Sequence, residues 1–134
     1  MKTDTLTFDT SGRSFVDLTD DVRAFARAAE GDGLVHVFAP HATAGIALME
    51  TGSGSEEDLA DAIDRLLPRD HRYRHAHGSP GHGADHVLPA FIAPSISVPV
   101  VDGEVALGTW QSIVFVDPNR DNPRRTVRLS FIPA

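Results

Sequence analysis

The chain has 134 residues, 41% hydrophobic and 23% charged, which predicts one globular domain spanning residues 1–134. A formal net charge of −7 argues against a nucleic-acid binder, which needs a basic footprint, and the absence of cysteine excludes disulfides and thiolate metal sites. No apolar run is long enough to cross a membrane, and the polar residues 1–9 carry no signal-peptide core, so a cytoplasmic location with no membrane partner is expected.

Residues 3–8 alternate Thr with Leu6 and Phe8 and predict a strand, followed by a turn at Ser11-Gly12 and a second extended segment over 13–18 anchored by Phe15. Thr19-Asp20-Asp21 looks like a helix start, with a hydroxyl cap and first-turn acids; Val22, Phe25, Ala26 and Ala29 follow at helical spacing. Gly31-Asp32-Gly33 stops that helix. Residues 34–39 predict a strand apolar on both faces and so covered on two sides, with His36 as a satisfied core histidine. Pro40-His41 interrupts it, and residues 43–50 form a further strand.

Ser55 is placed to cap a second helix, with Asp58 at the reciprocal position. Leu59, Ile63, Leu66 and Leu67 make its apolar stripe before Pro68 ends it. Residues 68–85 are irregular, and residues 86–92 predict a short third helix with Pro89 in its first turn. Residues 95–101 alternate cleanly into a hairpin turn at Asp102-Gly103. Beyond Gly108-Thr109-Trp110-Gln111, residues 113–116 extend the sheet and 117–123 form a polar loop. Residues 124–132 close the chain, with Val127, Leu129 and Phe131 inward. Strands, helix, strands, helix and a final run of strands predict an α+β fold with antiparallel sheets and helices on one side.

Five of the seven histidines fall between His71 and His86. Imidazole is the commonest protein metal ligand, and His75, His77, His82, His86 and Asp85 could supply a site of about three ligands. No HExxH motif occurs, nor any pair at helical i, i+4 spacing within a predicted helix, so solvated loop histidines are the alternative. His41, at a break between strands with Thr43 two residues on, can serve as an acid or base or simply as a turn residue. Glu50 could bind a metal, orient a histidine or act through loop electrostatics. Arg124 and Arg125 point to opposite faces, so one can meet a phosphate while the other is solvated. Gly108 to Gln111 bring a hydroxyl, the chain's only indole and an amide to one corner, either beside a pocket or as core punctuation around Trp110.

Several of these stretches together resemble the YjbQ family. Residues 95–113, ending in GTWQ, resemble its signature; PHATAGIALME over 40–50 is similar to its histidine–threonine strand. Tyr73-Arg74-His75 resembles its Tyr-x-His, His86 stands where the family has a histidine, and PRRTVRL resembles its closing basic strand. The resemblance implies a two-layer arrangement of antiparallel, sandwich-like sheets with two or three helices, a homotrimer, and a weak thiamine-phosphate synthase activity. That reaction joins a pyrimidine-methyl pyrophosphate to a thiazole phosphate. It also implies catalytic roles for His41, Glu50, His75 and His86, and substrate or phosphate contacts from Thr43, Thr109, Trp110, Gln111 and Arg125. On this reading Thr109 and Gln111 orient a ligand or the histidines. Two departures stand out. Met49 replaces an Asn, and His77 and His82 replace acidic or amide residues, which implies a histidine-richer divalent metal site at His75, His82 and His86. The competing functional reading is a non-catalytic or differently catalytic protein that binds a metal or a small phosphorylated molecule.

Overall fold

The computed structural model describes residues 1–134 as twelve elements in two antiparallel sheets with helices. The strands are β1 (Lys2–Asp9), β2 (Phe15–Asp17), β3 (Gly33–Phe38), β4 (Gly45–Met49), β5 (Ser95–Val101), β6 (Glu104–Val105), β7 (Ser112–Val116) and β8 (Arg124–Pro133). The helices are α1 (Thr19–Ala29), α2 (Ser55–Leu66) and α3 (His82–Val87), the last running into a 3-10 turn at Leu88–Ala90. One sheet has five strands in the order β1-β8-β3-β5-β6; the other has three, β2-β7-β4. The α+β class and antiparallel sheets expected from the sequence are both present.

The inner face of the larger sheet packs on α1 and on one face of the smaller sheet, burying Val35, Val37, Val98, Val127, Leu129 and Phe131 against Ile113, Phe115 and Val22. β7 is buried on both faces. Ile113 and Phe115 join this core, whereas Val114 and Val116 pack with Leu67, Ala84 and Leu88 into a second, smaller cluster beneath α2 and α3. A strand covered on both sides reads as an unbroken apolar run, as SIVFV does.

Several local expectations change. Leu18, not Thr19, occupies the cap position of α1, with no side-chain cap bond. The Thr19 hydroxyl donates to Asp17 Oδ1 at 2.6 Å and accepts the Ile113 N–H at 2.9 Å, tying the helix start to β7. Ser55 does not cap α2. Gly54 does so, at φ 88°, a left-handed conformation that suits glycine, and Glu56 reaches back to accept the Gly52 N–H. The third helix begins four residues earlier than expected, at His82, while Pro89 sits second in the 3-10 turn, where its missing N–H costs nothing. β3 is covered on one side only. Leu34, His36 and Phe38 face outward, His36 is bonded to the Ser97 hydroxyl at 2.8 Å, and it is not a core residue. Trp110 is 74% exposed, which removes it from the core.

β8 sets up the site. Val127, Leu129 and Phe131 point inward, and Arg125 shares their parity, so its guanidinium is buried at the end of the sandwich. Asp117 follows β7 with the parity of Ile113 and Phe115 and is buried opposite it. Arg124 is exposed, as the opposite-face argument requires.

Candidate functional site

The first turn of α3 closes when the Asp85 N–H donates to the Gly81 carbonyl at 3.1 Å. His82 and His86 then lie one helical turn apart on the same side, the i, i+4 relation that the expected helix boundary had hidden. Their Nε2 atoms are 2.9 Å apart. His75, from the loop before the helix, stacks on His82 with centroids 4.9 Å apart and planes within 13°, and its ring is 4.5 Å from that of His86. One donor atom from each of these three histidines lies within 4.8 Å of the others. Gly83 allows the approach: any Cβ there would collide with the Tyr73 side chain and the His75 carbonyl. His77 stands beside them, 4.2 Å from His75 and 4.7 Å from His82 between centroids. Together with Arg69 and Tyr73, His75, His77 and His82 border a cavity of about 370 Å³. Loss of hydration, followed by the neighbouring His77, His86 and His82 rings, pushes His75 below the ordinary imidazole value.

The donor set fits a divalent transition ion. Nitrogens about 2.0–2.1 Å from a tetrahedral ion are about 3.3 Å from one another. The 2.9 Å pair would part by a few tenths of an ångström and His75 would close in, both within side-chain adjustment. The tautomer is also right. Asp121 Oδ2 lies 2.8 Å from His82 Nδ1, so that nitrogen carries the proton and Nε2 faces the other histidines with a free lone pair. Ser79 and His82, in that order, hold the Asp121 carboxyl down to about 2.

Asp121 belongs to a loop whose alternate side chains turn inward. Asn119 is buried; its Nδ2 donates to Asp85 Oδ2 at 2.9 Å, its Oδ1 accepts the Asp121 N–H at 3.0 Å, and its own N–H donates to Asp117 Oδ1 at 3.0 Å. Asp85, buried on α3, is also paired with Arg69, which donates in turn to the Pro80 carbonyl at 3.0 Å. Asp85 therefore supports the histidine helix from behind through Asn119 and Arg69.

Through Asp117 the network continues to the predicted strand-end residues. Asp117 Oδ2 and Arg125 Nε are 2.7 Å apart, an ion pair whose angle is off the hydrogen-bond direction. The Thr43 hydroxyl donates to Asp117 Oδ1 at 3.0 Å and accepts from Arg125 Nη2 at 3.2 Å. Arg125 Nη1 lies 3.2 Å from His41 Nδ1, and His41 Nε2 lies 3.0 Å from the Thr126 carbonyl. A guanidinium can only donate, so Nδ1 accepts and Nε2–H donates. Both ring nitrogens are then engaged in the neutral form. Burial first, and the Arg125 charge second, push His41 below its ordinary value. His41, Thr43 and Arg125 thus join the histidine centre by a continuous chain of contacts through Asp117 and Asn119.

The remaining expected residues lie elsewhere. β7 runs from Ser112, beside the GTWQ corner, to Val116, beside Asp117, a span of about 13 Å at about 3.3 Å per residue. Gln111 Oε1 accepts the Gly108 N–H at 2.8 Å, the Gln111 N–H donates back to the Gly108 carbonyl at 3.1 Å, and Thr109 and Trp110 are exposed. Glu50 is exposed at the same end, just beyond the Met49–Ser112 pairing. Within one chain Glu50, Thr109, Trp110 and Gln111 form a separate group from the histidines. Sequence reasoning missed Arg69, Asn119, Asp117 and Asp121. The one signal available was the alternation of Asp117, Asn119 and Asp121 in a segment read only as a polar loop.

A family model described as UPF0047 protein YjbQ-like matches residues 4–134. The chain belongs to the YjbQ/UPF0047 family. A UPF0047 protein of Mycobacterium tuberculosis is 68% identical over 132 residues, covering 98% of each chain. One from Archaeoglobus fulgidus is 33% identical, covering 91% of this chain and 95% of that one. Among solved structures, a hypothetical protein from Aeropyrum pernix matches with a TM-score of 0.90 and 31% identity over the whole of both chains. A Clostridium acetobutylicum protein, described as an uncharacterized conserved protein of the YjbQ/UPF0047 family, matches with a TM-score of 0.86 and 26% identity, covering 96% of this chain and 99% of that one. These likenesses establish the UPF0047 fold and membership, and the names of these relatives attach no activity to them. No helix is long and apolar enough to cross a membrane.

Proposed function

We propose that this protein binds one divalent transition-metal ion through His75, His82 and His86 and presents it to a small phosphorylated molecule. The observation that carries this reading is the convergence of three imidazoles with the His82 tautomer set by Asp121. Three imidazoles suit zinc, copper, nickel or iron, and three protein ligands with an open position are the arrangement of catalytic rather than structural zinc. A bound ion would supply Lewis-acid charge to a phosphoryl oxygen or a water. The chain's own part is to hold the three nitrogens: Asp121 orients His82, Asp85 and Asn119 brace α3, and the Gly83 contact fixes His75.

The finer reading, taken from the family resemblance, is a thiamine-phosphate synthase: a cytoplasmic homotrimer in which pyrophosphate departs from the pyrimidine-methyl carbon as the thiazole phosphate attacks. The outward-facing Leu34, Phe38 and Ile132 support an assembly of copies. His41 and Arg125 add only braced, inward-facing groups to that chemistry, so the metal-centred reading is the one the geometry favours. Elemental analysis after reconstitution should find one ion per chain in the native protein and none in His75→Ala/His86→Ala. A native protein that retains no ion refutes the metal reading. Thiamine phosphate formed equally by native protein and His86→Ala refutes the synthase reading.

A further inference from the structure

A second cavity, of about 280 Å³, lies behind the histidine centre, between α2 and the smaller sheet. Its floor is apolar: Phe15 from β2, Val116 from β7, and Ala60 and Ile63 from α2. Its rim carries Ser14, Asp64, Pro118 and Arg120. The 117–121 loop is the partition between the two cavities. Its residues 117, 119 and 121 turn toward Arg125, Asp85 and His82, and its residues 118 and 120 line the second cavity. Arg69 borders both.

The charges on the rim differ in their commitments. Arg69 is paired with Asp85, and the other ion pairs of the chain engage Arg27, Arg72, His82 and Arg125. Arg120 is exposed and has no carboxylate partner. An apolar floor with one uncommitted guanidinium at its edge suits a flat hydrophobic ring bearing an anionic group. The ring covers Phe15, Ala60 and Ile63, and the planar fork of Arg120 takes the anion's oxygens. Asp64, across the rim, disfavours a second anionic group and can accept from a ring amine or hydroxyl.

We propose that this cavity is a binding site for a small aromatic or heteroaromatic ring carrying one phosphate or carboxylate, read by Arg120. The site does not need the metal, so it is tested on protein held in chelator, and its outcome is separate from that of the metal reading. Phenyl phosphate, benzoate, inorganic phosphate and benzyl alcohol are titrated in turn while backbone amide NMR shifts are followed. Saturable shifts are expected for residues of α2 and for 118–120 with phenyl phosphate or benzoate, the tighter of the two naming the anion. Inorganic phosphate and benzyl alcohol should each bind at least about tenfold more weakly, since each lacks one half of the recognition. Arg120→Gln, an exposed change that leaves folding intact, should weaken phenyl phosphate about tenfold or more, and Ala60→Phe should fill the cavity and abolish binding. The proposal is overturned if no titration saturates, if the shifts centre on His75, His82 and His86, if inorganic phosphate binds as well as phenyl phosphate, or if Arg120→Gln leaves the affinity unchanged.

Discussion

Asp121→Asn isolates the part of the metal centre that holds a ligand without touching the ion. Asp121 Oδ2 is 2.8 Å from His82 Nδ1, and its carboxyl is held down to about 2, so at neutral pH it is a full acceptor for the Nδ1 proton. An asparagine keeps the size but offers a weaker oxygen, and an amide that can turn its nitrogen toward the ring instead. Both effects loosen the tautomer that presents Nε2. Losing such an outer partner typically costs 10- to 100-fold in metal affinity, or about 1.4 to 2.7 kcal/mol of binding. The assay is competition against a chromophoric chelator with zinc or cobalt at pH 7.5, alongside the native protein and His82→Ala. Asp121→Asn should fall between them. An affinity equal to that of the native protein would refute the claim that Asp121 sets the His82 tautomer. An affinity as low as that of His82→Ala would mean that the carboxylate itself is a ligand.

Other outcomes follow from the same contacts. His41 is held neutral, and its folded value lies below the unfolded one, so its contribution to stability is present at neutral pH. It declines as the pH falls from the ordinary imidazole range toward the lowered value; in chelator, His41→Gln should flatten the thermal midpoint between pH 7 and 5, and an unchanged slope would count against that assignment. Arg125→Met strands the buried Asp117 carboxylate and should cost about 3–5 kcal/mol, whereas Asp117→Leu/Arg125→Met together should cost less than either single change in a urea titration. Asn119→Leu removes the amide that bonds to Asp85 and accepts from Asp121; a loss of about 2–4 kcal/mol and a weaker metal affinity are expected from the same unfolding and chelator measurements. Phe115→Ala empties the centre of the larger core and should destabilise by about 3–5 kcal/mol without changing the metal stoichiometry.

How much of this is legible in the sequence depends on where the information sits. β8 is legible because one face is core throughout: the parity of Val127, Leu129 and Phe131 carries Arg125 inward with them, and the opposite-face argument for the two arginines needs nothing more. The apolar run of β7 is readable for the same reason. β3 misleads because Leu34 and Phe38 are apolar yet face outward, and periodicity cannot tell a face buried within one chain from one left for a neighbour. The histidine helix is hidden by composition. HGADHV has glycine before and within it and no apolar repeat, and it is held by Asp85, Asn119 and Arg69, which are distant in sequence. For Trp110, a lone indole after a glycine looks alike in a core or on a surface until the backbone shows which way the corner turns.

The brevity of α3 has a dynamic consequence. Six residues are too few to sustain a helix on propensity alone, so the segment carrying two of the three imidazoles borrows its order from Ala84, Leu88 and the Asp85 network. Cross-linking residues 82 and 86 through an ion, with His75 as the third tether, would raise the opening free energy of that one turn far more than that of the sheets. Amide hydrogen exchange at residues 82–88 should therefore report metal occupancy directly, slowing on loading while the strands of the sandwich keep their rates.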